Sequence, residues 1–206
     1  MDFDAKLIEK TIENLKKRQF NAVYVPDGQR AMELIKTMVK SGDLVARSGS
    51  VTLSRIGLDN FLKSGEFDYR DQARAKDEAD KKRIVRRRFF ADVFFSSANA
   101  IISDGRIYNE DGASTRVSAL IYGPEKVVIV AGANKIVESQ ARAAARVKKV
   151  APKNCKNNNF DTPCAVDGVC HDCFVPGRSC CTTAILNFSR IPGRINVIIV
   201  GQELGI

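Results

Sequence analysis

From Val127 to Ala131 the chain reads Val-Val-Ile-Val-Ala, a run with no polar position on either side. Side chains of a strand alternate between its two faces, so such a run is stable only where both faces are covered. Strands of that kind belong to parallel sheets sandwiched by helices. The segments at the start of the chain supply the covering layers. Residues 3–18 place Phe3, Leu7, Ile8, Ile12 and Leu15 at three- and four-residue spacing, an amphipathic helix closed by Lys16-Lys17-Arg18. Phe20–Val25 alternates like a strand and stops at Pro26-Asp27-Gly28. A second helix runs from Arg30 to Lys40, and Asp43–Arg47 is a short buried strand. This helix–strand alternation with tight connections predicts an α/β fold, a mainly parallel sheet flanked by helices.

Further along, residues 54–63 and 76–90 read as helices, and Val93–Phe95 and Ala98–Ser103 as strand material. Asp104-Gly105 is a hairpin turn into Arg106–Asn109, and Asp111-Gly112 is another turn. The Lys126–Ala131 strand is followed by a helix from Gly132-Ala133-Asn134-Lys135 to about Val150. Residues 151–182 are irregular and cysteine-rich, and Ala184–Phe188 and Arg194–Val200 read as two closing strands around Pro192-Gly193. At 206 residues and 44% hydrophobic, the chain is long enough to form one domain spanning 1–206, with 151–182 a loop inside it. No internal repeat is present. No apolar run approaches a membrane span, and the acidic Met1-Asp2-Phe3-Asp4 start lacks a secretory signal, so a reducing cytoplasm is the expected setting.

The formal net charge of +9 raises the question of nucleic acid. Its densest part, Lys81 to Arg88, ends a helix that begins with Asp77, Glu78 and Asp80. Acid first and base last is the order the helix dipole favours. Neither aromatic interleaving nor a nucleic-acid-binding signature accompanies it. A solvated helix face is therefore expected, with docking of an acidic protein partner next and no nucleic acid.

Five of the six cysteines fall between Cys164 and Cys181, with Cys155 just upstream, and the only histidine, His171, sits among them. Three explanations are open: a metal or iron–sulfur cluster, disulfides, or free thiols. A reducing compartment disfavours the second. No Ser/His/Asp set, P-loop or G-x-G-x-x-G loop occurs.

Several motifs in order along the chain resemble the LUD domain, the family of lactate utilization proteins related to lactate utilization protein C. They are Gly49-Ser50-Val51-Thr52-Leu53, Ala91-Asp92-Val93-Phe94, Ser97-Ala98-Asn99-Ala100-Ile101, Thr115-Arg116-Val117, Gly132-Ala133-Asn134-Lys135-Ile136-Val137 and Val200-Gly201-Gln202-Glu203-Leu204-Gly205. Ala113-Ser114 departs from the Gly/Asn pair usual before the Thr/Arg. The resemblance implies a fold akin to the NagB/RpiA/CoA-transferase superfamily. It also implies an accessory or electron-transfer role in a lactate-type hydroxy-acid oxidation system, with a small anionic metabolite and an iron–sulfur partner protein as partners. A second copy of the chain is a further candidate partner. The alternatives are an isomerase- or transferase-type enzyme acting on a phosphorylated or CoA-linked molecule, or a non-catalytic binding subunit. The resemblance supplies no mechanism of catalysis.

Cysteine-bearing relatives resemble Thr-Pro-Cys, then Cys-x-x-Cys, then a further Cys, which Thr162-Pro163-Cys164, Cys170, Cys173 and Cys180 match. Their spacing lets four thiolates converge from one loop, as zinc or an iron–sulfur cluster requires. The missing second Cys-x-x-Cys knuckle tips the expectation to a cluster over zinc, and Cys155 or Cys181 could substitute as ligands. A second expected site gathers Ser50, Thr52, Asn99, Asp104, Asp111, Thr115, Arg116, Asn134 and Lys135 on loops that converge in this superfamily. Asp104 and Asp111 beside glycine are turn residues first. Arg116 and Lys135 lie next to apolar segments, and two cations with hydroxyls suit a carboxylate or phosphate.

Overall fold

The computed structural model describes residues 3–206, so Met1 and Asp2 of the acidic start lie outside the described residues. The chain forms α1 (Ala5–Lys17), β1 (Asn21–Val25), α2 (Gly28–Lys36), β2 (Leu44–Arg47), α3 (Val51–Arg55), α4 (Leu58–Leu62) and β3 (Asp68–Tyr69). It continues with α5 (Glu78–Arg87), β4 (Val93–Ser96), β5 (Ala100–Ile102), β6 (Ile107–Asp111), α6 (Thr115–Ile121) and β7 (Lys126–Gly132). Last come β8 (Ile136–Val137), α7 (Gln140–Asn157), α8 (Pro163–Asp167), β9 (Thr182–Leu186) and β10 (Ile195–Val200). Aspartates start several helices. Asp4 accepts from the N–H of Lys6 at 2.9 Å, Asp27 from that of Arg30 at 2.8 Å and Asp77 from that of Asp80 at 2.7 Å.

Six strands pair in the order β1-β10-β7-β4-β2-β3, and every pairing is parallel. The expected helix-flanked parallel sheet is therefore the main layer. On β7, Val127, Ile129 and Ala131 pack with Phe94, Val197 and Ile199 against Ile8, Leu15 and Phe20. Val128 and Val130 face the other way, into a core with Phe95, Ile35, Leu53 and Leu58. The run without polar positions is thus covered on both sides.

A second sheet, β8-β5-β6-β9, was not legible in the sequence. The expected hairpin at Asp104-Gly105 forms its centre, with Ile101 opposite Ile107 and Gly105 at φ +91°. Gly105 also lies tight on α1, where a Cβ would stand 2.4 Å from the Asn14 carbonyl. The closing strands do not belong together: β9 pairs antiparallel with β6, whereas β10 lies inside the parallel sheet.

The helix expected from 132 to 150 also differs at both ends. A single helical turn and β8 intervene before α7 begins at Gln140, because Ile136 and Val137 pair with Ile101 and Ile102. At the far end α7 runs through Pro152 to Asn157. Proline removes one backbone donor there, but Pro152 and Cys155 are buried, and packing against α8 holds the last turns in place. Cys155 is consequently a helix residue.

Ile129→Ala should cost about 2–5 kcal/mol of unfolding free energy, because the central strand has no room to collapse onto the cavity. Urea unfolding with an unchanged denaturant slope would register it.

Candidate functional site

Because the main sheet is parallel, the carboxyl ends of β2, β4, β7 and β10 open on one edge, the usual place for ligands in such sheets. After β2, Ser50 caps α3 by accepting from the N–H of Leu53 at 3.3 Å, which turns Thr52 inward. After β4 come Ser97 and Asn99. After β7, Gly132 permits a close approach, since a Cβ there would meet the Gln202 carbonyl at 2.5 Å. The segment beyond β10 folds back across this point, and the N–H of Leu204 donates to Asn134 Oδ1 at 3.2 Å.

These turns deliver Lys135 to a buried position at 5% exposure. Its Nζ donates to Thr52 Oγ1 at 2.9 Å, Ser97 Oγ at 3.0 Å and the Ala98 carbonyl at 3.2 Å. The charges acting on it are cationic, those of Arg146 and Arg116. Burial, and secondarily these two arginines, push the amine down from 10.5 to about 7. The three neutral acceptors work the other way, favouring the ammonium.

Lys135 lies in the wall of a cleft of about 710 Å³. Five cationic side chains line it (Arg88, Arg116, Lys135, Arg146 and Arg178) against two carboxylates, Glu110 and Asp111. Asn99 organises the cations. Its Oδ1 accepts from Arg116 Nη2 at 3.0 Å and from the N–H of Glu110 at 3.0 Å, while its carbonyl accepts from Arg146 Nη1 at 2.8 Å. Asp111 is spent as a helix cap, taking the N–H groups of Arg116 at 2.9 Å and Val117 at 3.1 Å. Burial lowers the arginines at 88, 116 and 146, a sign of incomplete neutralisation by protein groups. The excess of cationic side chains in the lining suits an anion.

A second cavity of about 200 Å³ lies between α7, β6, β9 and the cysteine loop. Cys164, Cys170, Cys173 and Cys180 all line it, and Cys155 joins them from α7, while Cys181 is exposed outside. Among the described residues, no three His, Cys, Asp or Glu side chains converge on one metal-ion position. The thiols surround a volume. Cys155 Sγ is 3.0 Å from Ser179 Oγ, and burial pushes the Cys180 thiol up. His171 pairs with Asp167, Nε2 to Oδ2 at 2.6 Å. Glu110, Val147, Ala151, Arg178, Ser179 and Cys180 line both cavities, so the two are neighbours through one wall. Gly112 packs closely on this wall, since a Cβ there would stand 3.1 Å from the Ser179 carbonyl.

A family model described as LUD domain matches residues 8–200. The chain belongs to the LUD domain family. Its fold is similar to that of a DUF162 family protein from Deinococcus radiodurans in a crystal structure at 1.70 Å resolution. The TM-score is 0.57 at 16% identity, over 96% of this chain and 98% of that one. No curated protein matches the chain.

In this LUD domain the expected ligand residues Ser50, Thr52, Asn99, Asp111, Thr115, Arg116 and Lys135 all line the cleft. Asn134 instead clamps Leu204, and Asp104 stays in its turn, bound to Arg106 and Arg18. Sequence reasoning missed Arg88, Arg146, Arg178 and Ser97. Arg88 was hidden in the basic run: α5 has no buried residue, but Arg87 turns in to Asp68, and Arg88, buried, bonds Gln72. Arg146 sits on an alanine-rich helix whose inward side only the second sheet defines. Among the described residues, no helix is long and apolar enough to cross a membrane.

The lowered Lys135 amine has a stability consequence. Between pH about 7 and 10.5 the unfolded chain holds a proton there that the folded chain has released, so stability rises with pH across that window; below about 7 the burial cost is fully present. The stability difference between wild type and Lys135→Met should climb from neutral to alkaline pH in urea titrations. A flat difference would refute the lowered amine.

Proposed function

We propose that this LUD domain is an accessory, electron-transferring component of a lactate-type hydroxy-acid oxidation system. In this reading it holds a small carboxylate anion in the cationic cleft and an iron–sulfur cluster in the cysteine cavity. The observation that carries the reading is the shared wall, which sets a thiol-lined cavity directly beside a cation-lined one. Membership of a family associated with lactate utilization supports the substrate class.

The cysteine cavity fits a multi-atom cluster better than a lone zinc ion. Thiols distributed around an open volume match ligands that each bind a different iron, whereas zinc needs four donors converging on one point. Cys164, Cys170, Cys173 and Cys180 would hold the group, with Cys155 a fifth candidate on the rigid helix. A bound cluster would take up and release single electrons. The protein's own contribution is to desolvate the thiols and to place Arg178 beside them, donating to the carbonyls of Cys173 at 2.6 Å and Cys180 at 2.7 Å. Thiols of this kind belong with a reducing cytoplasm, and an iron–sulfur partner protein would complete the electron path.

In the cleft, Arg116 and Arg146 would grip the carboxylate while Thr52, which accepts from both Lys135 and Ser97, turns its own proton to the ligand. A cleft of about 710 Å³ exceeds what a three-carbon acid fills, which favours the second reading, a phosphorylated or CoA-linked substrate.

Anaerobic purification tests the cluster. Broad absorbance near roughly 400 nm with iron and sulfide is expected, and its loss in Cys170→Ser/Cys173→Ser. Stoichiometric zinc without colour would make the loop a structural clip, and absence of both metals would remove the electron-transfer reading. Calorimetry tests the cleft: Arg116→Gln or Arg146→Gln should weaken lactate or pyruvate binding roughly tenfold or more, since a charge-assisted hydrogen bond contributes about 1.5–3 kcal/mol. Stronger binding of coenzyme A or a sugar phosphate than of either acid would favour the second reading.

A further inference from the structure

Among the described residues Lys135 is the one lysine in the wall of the cleft, and its surroundings are unusual for a lysine kept only for its charge. A buried ammonium is ordinarily matched by a carboxylate. Here the partners are two hydroxyls and a carbonyl, and the charges that act on the amine are those of two arginines. The cleft's carboxylates are engaged elsewhere, Asp111 at the start of α6 and Glu110 by Thr183 Oγ1 at 2.7 Å. Close packing keeps the amine dry on its far side. A Cβ on Gly205 would stand 2.8 Å from Nζ and 2.6 Å from Thr52 Oγ1, so glycine at that position is what lets the backbone close over the amine and its hydroxyl partner.

We infer that the cleft captures a 2-oxo carboxylate covalently, Lys135 Nζ condensing with its carbonyl to a reversible imine while Arg116 and Arg146 hold the carboxylate. The inference rests on the anion-binding reading of the cleft and adds covalent chemistry to it. Lys135 in its neutral form attacks the carbonyl carbon; a C–N bond forms, the carbonyl π pair moves to oxygen, and one of the two amine protons passes to that oxygen. The resulting carbinolamine then expels water: its hydroxyl takes the second amine proton, the C–O bond breaks and the nitrogen pair closes the C=N bond. Amine and oxo acid give imine and water, with no oxidant or reductant consumed. Thr52 Oγ1 and Ser97 Oγ, at 2.9 and 3.0 Å from Nζ, are placed to pass these protons. Desolvation and the two arginines, which lower the amine to about 7, keep a large neutral fraction available at neutral pH. The chemistry also sets selectivity. A 2-hydroxy acid has no carbonyl to condense, so the site would distinguish the oxidised from the reduced member of such a pair.

The test uses the whole, anaerobically purified chain, pyruvate as the probe and borohydride as the trap, with L-lactate in parallel. One reduced pyruvyl adduct is expected on the peptide containing Lys135, and none with L-lactate. That peptide should carry at least about tenfold more adduct than any exposed lysine, since an ordinary lysine is overwhelmingly protonated at neutral pH. Lys135→Arg, which keeps the charge but cannot form an imine, should lose the adduct; the wild-type mapping stands without it if that variant does not fold. Calorimetry with pyruvate on the same sample separates the two claims. Binding without an adduct at Lys135, or adducts spread evenly over surface lysines, overturns the imine and leaves the anion site standing. Neither binding nor adduct overturns both.

Discussion

Burial of β7 on both faces is the constraint from which the rest of the molecule follows. Val127, Val128, Ile129 and Val130 are wholly inaccessible, so helices or further strands must cover each side of the sheet they occupy. Parallel pairing with β10 and β4 then fixes the direction of every neighbour. All the strands release their chains at one edge, and the loops that leave them meet there. The Gly132-Ala133-Asn134-Lys135 segment continues directly from β7, so the lysine is carried off the end of a strand buried on both faces.

Around that lysine the protein concentrates positive charge that it only partly neutralises. Asn99 holds Arg116 through its amide oxygen and Arg146 through its carbonyl, Arg146 also meets an oxygen of the last residue, Ile206, and the side-chain carboxylate of Asp111 stands 3.9 Å from Arg116 Nε. Neutral acceptors satisfy hydrogen-bond geometry but leave the charge to be matched by something else. A folded protein tolerates this arrangement where an anion arrives to complete it. The proposed anion-binding role of the cleft rests on that arrangement.

The cysteine loop is tied into the same region by backbone contacts as well as by its side chains. The N–H of Cys181 donates to the Asp111 carbonyl at 3.1 Å, and β9 then pairs with β6 along its length. The loop's last cysteines are therefore held in register with the cleft wall, and a change at the thiols would be felt at Glu110 and Arg178.

Periodicity and turn chemistry by themselves determined the parallel α/β layer and the Asp104-Gly105 hairpin, because these depend on local spacing; the family, and most cleft residues named in advance, came from the resemblance carried by the ordered motifs. Tertiary structure alone decided the rest. The second sheet exists because β5, β6, β8 and β9 find one another across long stretches of chain, and no short-range pattern announces such pairing. Arg88 became a cleft residue only because the chain turns inward past the end of α5, and Arg146 only when packing chose which side of α7 faced inward. Cys155 entered the thiol cavity because α7 persists through Pro152, against the local preference of proline, once burial outweighed one missing hydrogen bond. Local sequence sets which elements can form; which of their faces meet depends on burial summed over distant residues, and that sum is defined only in the folded molecule.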